Sequence, residues 1–296
     1  MAPVLQALGT ASQPTRAFPD WREALDRERP DVAVLNPPLH LLGPLVLECL
    51  GRGIHVFAEK PMAIMPEDLA AIRALTGAPG MPKLMAMLSM RYSSEFLAGY
   101  RFVAAGGLGQ PLLLTAQKSY PLMGWDGKPR AAFYHRRATY GGTIPWIGIH
   151  AIDLFRWYSA SSFTEVSASH SVLGNEGHGE MEATATLAFK LASGALANAH
   201  LDFLRQRKTG AWGDDRLRVA GDKGVLEIRE GRAFVRTALD EFRELDPEPV
   251  PSMFSAFLDW AERETPMLLT TEDCLAAAEA SLRARDAADE GRVLAR

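Results

Sequence analysis

A lysine at the end of a buried strand is the first group in this chain with evident chemistry. Ile54 to Ala58 is a short apolar run rich in β-formers, entered from Gly51-Arg52-Gly53 and stopped at Glu59-Lys60-Pro61. Such a run reads as a buried parallel strand. Pro61 cannot donate to a ladder and holds Lys60 extended, so an amine is presented at the strand's carboxyl end. In open α/β sheets, ligands bind in the crevice outside those ends. Two further strand patterns end in the same way. Asp31 to Leu35 runs into Asn36-Pro37-Pro38, and Lys83 to Leu88 runs into Ser89-Met90-Arg91-Tyr92. Prolines are enough to turn a chain, but stability does not require a lysine and an arginine along one edge.

A second group of candidates lies on the segment Gly141 to Ala160, GGTIPWIGIHAIDLFRWYSA. It reads as one helix, with Thr143 able to cap it and Pro145 suited to its first turn. Trp146, His150, Asp153 and Trp157 then share a stripe. A His and an Asp on an otherwise apolar helix are either a satisfied core pair or a working one. A lysine without a partner favours the second reading. Lys and His can act together on a hydroxyl or carbonyl, one positioning and the other moving the proton. Lys60 and His150 are therefore the catalytic candidates. Arg91, Asp153, Trp146 and the loop residue Tyr120 are the substrate-binding candidates. Lys60, Arg91 and His150 are expected to converge on one cleft between two domains. His135, Arg136 and Arg137 are weaker candidates in the same loop region. His200 and Asp202 alternate on a polar strand face and suit solvent or a partner subunit. Gly213-Asp214-Asp215-Arg216 reads as a turn with a local ion pair, without chemistry. No HExxH pattern or His/Cys cluster has metal-ligand spacing, so no metal is expected.

The elements that must hold these groups fall into two regions. The chain has 296 residues, 47% of them hydrophobic, enough for two packed domains. Residues 1 to 20 are weakly patterned and read as loop with one short helix. Asp20 caps a helix to Arg29, and helices at Leu39 to Leu50 and Pro66 to Leu75 alternate with the strands. That alternation is βαβ, with a right-handed crossover. After a helix from Ser94 to Ala105, the pattern changes near Gly106-Gly107. Leu112 to Lys118, Glu165 to Leu173, Met181 to Lys190 and Ala195 to Phe203 alternate as strands, the last two joined by a Ser193-Gly194 turn. Arg216 to Ala220 and Gly224 to Arg229 add another pair. Met253 to Glu264 and Thr271 to Glu290 close the chain as helices. The expected organisation is α/β over residues 1–106 and α+β over 107–296, the second built on an open antiparallel sheet.

A net charge of −4 gives no reason to expect nucleic acid or an anionic membrane as partner. No apolar run reaches the length of a membrane span. The N-terminus lacks a basic region followed by an apolar one, so it does not read as a signal peptide. The two cysteines, Cys49 and Cys274, lie far apart in helical patterns, which favours a reducing cytoplasm over a disulfide framework.

In order along the chain, these motifs resemble the Gfo/Idh/MocA oxidoreductases. The matching residues are Asn36-Pro37-Pro38-Leu39-His40, Gly53-Ile54-His55-Val56 leading to Glu59-Lys60-Pro61, and Gly141-Gly142 followed by Gly148-Ile149-His150 and Asp153. Gly106-Gly107-Leu108-Gly109 and Ala220-Gly221-Asp222-Lys223-Gly224 fit in sequence order. The resemblance covers roughly residues 20 to 293. It implies a Rossmann domain followed by an open antiparallel sheet, and an enzyme using NAD or NADP on a sugar, inositol or related polyol. It also implies that Lys60 sits near nicotinamide and the reacting oxygen, that Glu59 is a cofactor-binding residue, that His150 is the catalytic or substrate-binding histidine, and that Asn36, Pro37 and His40 lie beside the nicotinamide ribose. Family members commonly pair through the sheet, so a homodimer or tetramer is expected.

Two departures bear on function. Many members carry Asp four residues before the histidine; here that residue is Trp146, so no carboxylate relay runs through it. No GxGxxG precedes Asn36 either, so the usual pyrophosphate cradle at a helix N-terminus is missing from the sequence. The Rossmann-like domain therefore reads as N-terminally truncated, the natural product as longer, and NAD(P) binding as weak. A cofactor-free remnant that binds a sugar-like ligand or partner subunit is the competing reading. An NAD-dependent glycoside-cleaving enzyme is a third.

Overall fold

The computed structural model describes residues 16–295 apart from 77–79, 125, 207–211 and 240. The expectation for the first fifteen residues thus lies outside the described residues. Helix α1 (Trp21–Glu28) starts at Asp20, whose carboxylate accepts from the Arg22 amide at 2.9 Å. Then come β1 (Val32–Leu35), α2 (Leu39–Gly51), β2 (His55–Ala58), α3 (Pro66–Thr76) and β3 (Leu84–Ala86). The three strands are parallel, in the order β1-β2-β3. Val56, Phe57 and Ala58 are buried, as a strand covered on both faces should be. The third strand is shorter than its apolar run because the chain tightens into a 3-10 turn at Ser89–Tyr92 before α4 (Ser94–Ala104).

The second sheet opens with β4 (Pro111–Ser119). A 3-10 turn (Ala132–His135), the short α5 (Arg137–Tyr140), a π turn (Ile144–Gly148) and α6 (Ile149–Ser159) follow. The remaining strands are β5 (Phe163–Ser171), β6 (Thr184–Leu191), β7 (Leu196–Asp202), β8 (Asp214–Gly221), β9 (Gly224–Arg229), β10 (Arg232–Thr237) and β11 (Arg243–Glu244). Helices α7 (Met253–Arg263) and α8 (Thr271–Glu290) and strand β12 (Leu294–Ala295) end the described chain. The nine strands lie in the order β11-β10-β9-β8-β4-β7-β6-β5-β12.

This sheet is antiparallel as expected except for one parallel pair, which makes it mixed. Strands β4 and β7 pair in parallel, Leu113 beside Leu196 through Ser119 beside Asp202. After β4 the α6 crossover carries the chain out to β5. Strands β6 and β7 then walk back by antiparallel pairing and arrive alongside β4 in its own direction. The β6–β7 turn falls at Ser193-Gly194 as the sequence predicts, with the Gly194 amide donating to the Leu191 carbonyl at 2.9 Å.

A division at residue 107 also fails to describe the cores. Phe257 on α7 and Cys274, Leu275, Ala278 and Leu282 on α8 pack with Val56, Leu84 and Ala86 of the parallel sheet. A parallel sheet needs cover on both faces, and the returning C-terminal helices contribute to it.

The predicted single helix from Gly141 to Ala160 begins as a π turn. Thr143 does not cap it: its amide and hydroxyl both donate to Glu182, at 2.9 Å to Oε2 and 2.7 Å to the carbonyl. The wider turn rotates Trp146 relative to the residues beyond Gly148, so the four-residue stripe splits. Helix α6 lies tight on the sheet because Gly148 has no side chain; a Cβ there would stand 2.8 Å from Leu201 Cδ1.

Candidate functional site

Strand β2 ends at a cleft of about 480 Å³. The Asn36–Leu39 turn after β1 forms one side, Glu59 and Lys60 the base, and Phe133, Tyr134 and Trp146 the aromatic wall opposite. Lys60 is partly buried there. Its amine donates to the Trp146 carbonyl at 2.7 Å and lies 5.4 Å from the centre of that indole. The Glu59 carboxylate turns back to accept from the Lys60 amide at 2.8 Å. Burial lowers the Lys60 pKa to about 8; the cations Lys118 and Arg130 push in the same direction and the carboxylates Glu59 and Asp215 oppose them. The amine can therefore lose its proton near neutral pH, as a proton acceptor must.

His150, in the first turn of α6, is 8% exposed. Its Nδ1 is buried with no hydrogen-bond partner among the described residues. Burial first, then the charges of Lys60 and Lys118, hold its pKa well below the ordinary imidazole value. It is neutral at physiological pH, with one ring nitrogen able to accept and the other to donate.

The wall is more polar than its aromatics suggest. The Arg130 guanidinium lies 4.8 Å from the Trp146 ring centre and 4.9 Å from that of Phe203, and donates to the Pro121 carbonyl at 2.8 Å. Lys118, near the end of β4, is fully buried and pairs with Asp215 of β8 at 2.6 Å. Tyr120 donates to the same carboxylate at 2.8 Å. The segment read as a turn without chemistry thus supplies Asp215 to the electrostatics of the site. Lys118 and Arg130 carried no sequence signal beyond their type, since each is a lone cation in a strand or loop.

The structure brings together some of the expected residues. Asn36, Pro37, Glu59, Lys60 and Trp146 line the cleft, and His150 lies within electrostatic reach of Lys60. Tyr120 stands behind, its hydroxyl committed to Asp215. His40 falls in the first turn of α2 and is not among the lining residues; its Nδ1 is buried without a partner among the described residues.

Arg91 and Asp153 are placed elsewhere. They form a forked, buried ion pair at 2.6–3.1 Å. Arg91 also donates to the Leu268 carbonyl at 2.8 Å and to Asp273 at 3.2 Å. Burial works against its charge, but the two carboxylates hold its pKa above the usual value. This pair ties α6 to α8 and does not line the cleft. The 3-10 turn at Ser89–Tyr92 carries Arg91 away from the edge where the strand pattern put it.

A Rossmann-like parallel sheet with a lysine at a strand end is thus joined to a large open sheet crossed by a helix that carries a histidine. A profile of the oxidoreductase family's NAD-binding Rossmann fold matches residues 5–79, and one of the GFO/IDH/MocA C-terminal domain matches residues 96–227. A solved Thermotoga maritima structure, provisionally described as an oxidoreductase, is 35% identical; the match covers 100% of this chain and 89% of that one, with a TM-score of 0.94. The chain belongs to the Gfo/Idh/MocA oxidoreductase family. It is also similar to myo-inositol 2-dehydrogenase of Thermotoga maritima, 26% identical over 71% of this chain and 60% of that protein. The uncharacterized oxidoreductase YrbE of Bacillus subtilis is 27% identical over 72% of this chain and 59% of its own length. The chain thus spans about three fifths of these curated relatives. Among the described residues no helix is long and apolar enough to cross a membrane, and no cluster of His, Cys, Asp or Glu could hold a metal ion.

Proposed function

We propose that the protein is an NAD(P)-dependent oxidoreductase of a sugar, inositol or related polyol, with Lys60 and His150 at the reacting oxygen. The observation that carries this reading is Lys60 itself. A partly buried amine whose proton is loosely held stands at the carboxyl end of a parallel strand, beside a neutral histidine and opposite an aromatic wall. The family profile is that of an NAD-binding fold, and the myo-inositol enzyme above gives the substrate class its support.

The Asn36–Leu39 turn and the Phe133, Tyr134 and Trp146 side chains would hold the nicotinamide end of a dinucleotide. When bound, its ring supplies the hydride acceptor. Lys60 would take the hydroxyl proton of the substrate and return it in the reverse direction. His150 donates a hydrogen bond to the same oxygen and fixes its position. The Trp146 carbonyl orients the amine, and the aromatic wall keeps water from it. A glycine-rich turn for the pyrophosphate is not found after β1, β2 or β3, which are followed by Asn36-Pro37-Pro38, Glu59-Lys60-Pro61 and Met87-Leu88-Ser89.

The test is a panel of inositols, aldoses and acyclic polyols with NAD⁺ and NADP⁺, read by nicotinamide absorbance. Millimolar cofactor allows for weak binding. Reduction that depends on one class of polyol is expected. Silence across the panel in both directions contradicts the proposal and favours a ligand-binding remnant.

Self-association belongs to the same reading. On the sheet, Leu113 and Leu196 sit side by side, 38% and 53% exposed, on a face that a second copy can cover. The proposed state is a dimer or tetramer of the 32.3 kDa chain. Light scattering at micromolar concentration should return a multiple of that mass; the mass of one chain would contradict it.

A further inference from the structure

A cavity of about 400 Å³ lies at the other end of α6 from His150, between α3, the start of β5 and α8. It shares no lining residue with the cleft that holds Lys60. Three arginines line it: Arg73 of α3, Arg156 of α6 and Arg283 of α8. Arg73 is satisfied. It donates to Glu272 at 2.8 Å and to Glu279 at 3.2 Å, and these are the two carboxylates of the lining. Arg156 and Arg283 are different. Each is only partly exposed, and neither has a hydrogen bond or an ion pair among the described residues. The Nε of Arg156 is buried with no acceptor at all.

The carboxylates nearest in sequence are engaged elsewhere. Asp153, one turn before Arg156, is held by Arg91. Asp286, one turn beyond Arg283, accepts from Arg285 at 2.9 and 3.0 Å. The carboxyl end of a helix favours a cation through its dipole. That accounts for an arginine late in α6, but it supplies no acceptor, and it does not account for Arg283 inside α8. A guanidinium drawn out of water without an acceptor is unfavourable, and two of them in one cavity repel. What offsets both costs is an oxyanion, since the planar fork of donors matches carboxylate and phosphate oxygens. Ser162, just before β5, brings a hydroxyl to the same cavity, and Ala276 and Ala280 keep its α8 side open.

We propose that this cavity is a second binding site, separate from the reaction cleft, for a phosphate-type oxyanion held by Arg156 and Arg283. The site stands whether or not a polyol is oxidised, and its test requires no turnover. Arginine Nε–H signals of the whole chain are followed by ¹H–¹⁵N NMR at about pH 7 while inorganic phosphate replaces chloride at constant ionic strength. Arg156 and Arg283 are assigned by the loss of their signals in Arg156→Met and Arg283→Met. Both are expected to move on one saturable curve, with a midpoint in the millimolar range or below, while the exposed Arg263 stays still. In Arg283→Met the midpoint read at Arg156 should rise about tenfold or more, the usual worth of a hydrogen bond to a charged group. Arg283→Lys keeps the charge and should lose less. A linear drift shared with Arg263, or an Arg156 midpoint unmoved in Arg283→Met, overturns the proposal. Thermal melts give a second reading: phosphate should raise the native melting temperature above that in chloride but not that of the Arg156→Met, Arg283→Met double variant. An equal rise in both proteins overturns the proposal as well.

Discussion

Lys60→Ala is expected to lower the turnover of polyol oxidation by about 10²-fold or more, the usual worth of a positioned proton-transfer group, without lowering stability near pH 7. The two halves of this expectation have one cause. The folded pKa of Lys60 lies at about 8, below its ordinary 10.5. Between those values the unfolded chain binds the extra proton and the folded one does not, so stability rises with pH across that window. Below pH 8 the fold carries a partly buried ammonium at a cost, and alanine removes it. The variant should therefore melt at or above the native temperature at pH 7, with the difference shrinking as pH climbs toward 10.5. Native turnover in the oxidative direction should rise with pH through about 8 as the amine is freed. Equal losses of stability and turnover would make Lys60 structural. Steady-state kinetics and thermal melts across pH separate the outcomes.

The second large effect is on stability. Arg91→Met is expected to destabilise the fold by about 3–5 kcal/mol, because it leaves Asp153 as a buried carboxylate without its partner. The Leu268 carbonyl and Asp273 lose a donor at the same time. Arg91→Met with Asp153→Leu should recover part of the loss, since a buried pair replaced as a whole by apolar groups is often neutral. Urea unfolding of the single and double variants measures this. If Arg91 instead bound substrate, Arg91→Met would raise KM at native stability, and the double variant would recover nothing.

Lys60 was legible in the sequence because a proline ended its strand and position followed from that alone. Arg91 carried the same pattern and went elsewhere, because its strand gives way to a 3-10 turn that aims the side chain at α6 and α8. His150 was legible by type, but the stripe through Trp146, His150, Asp153 and Trp157 assumed an α period that the π turn breaks. Lys118 and Asp215 sit on strands far apart in sequence, so only the pairing of β4 with β8 brings them together. The alternation of β4 to β9 marked them as strands. It could not show that β4 and β7 run parallel, which depends on the path of the crossover and not on either strand. Helix α8 was legible as a helix. That it fills the core of the first sheet follows from that sheet's need for cover, which no local pattern records.

The most direct test of the reaction centre is a crystal structure with a nicotinamide cofactor and whichever polyol the panel selects. A second cleft of about 560 Å³, lined by Ser89, Glu95, Asp214 and Arg216 among others, is the natural alternative. The expected result is a nicotinamide ring between the Asn36–Leu39 turn and the Trp146 wall, with one polyol oxygen within hydrogen-bond reach of both Lys60 Nζ and His150. A polyol seated in the second cleft, with Lys60 still bonded only to the Trp146 carbonyl, would contradict it.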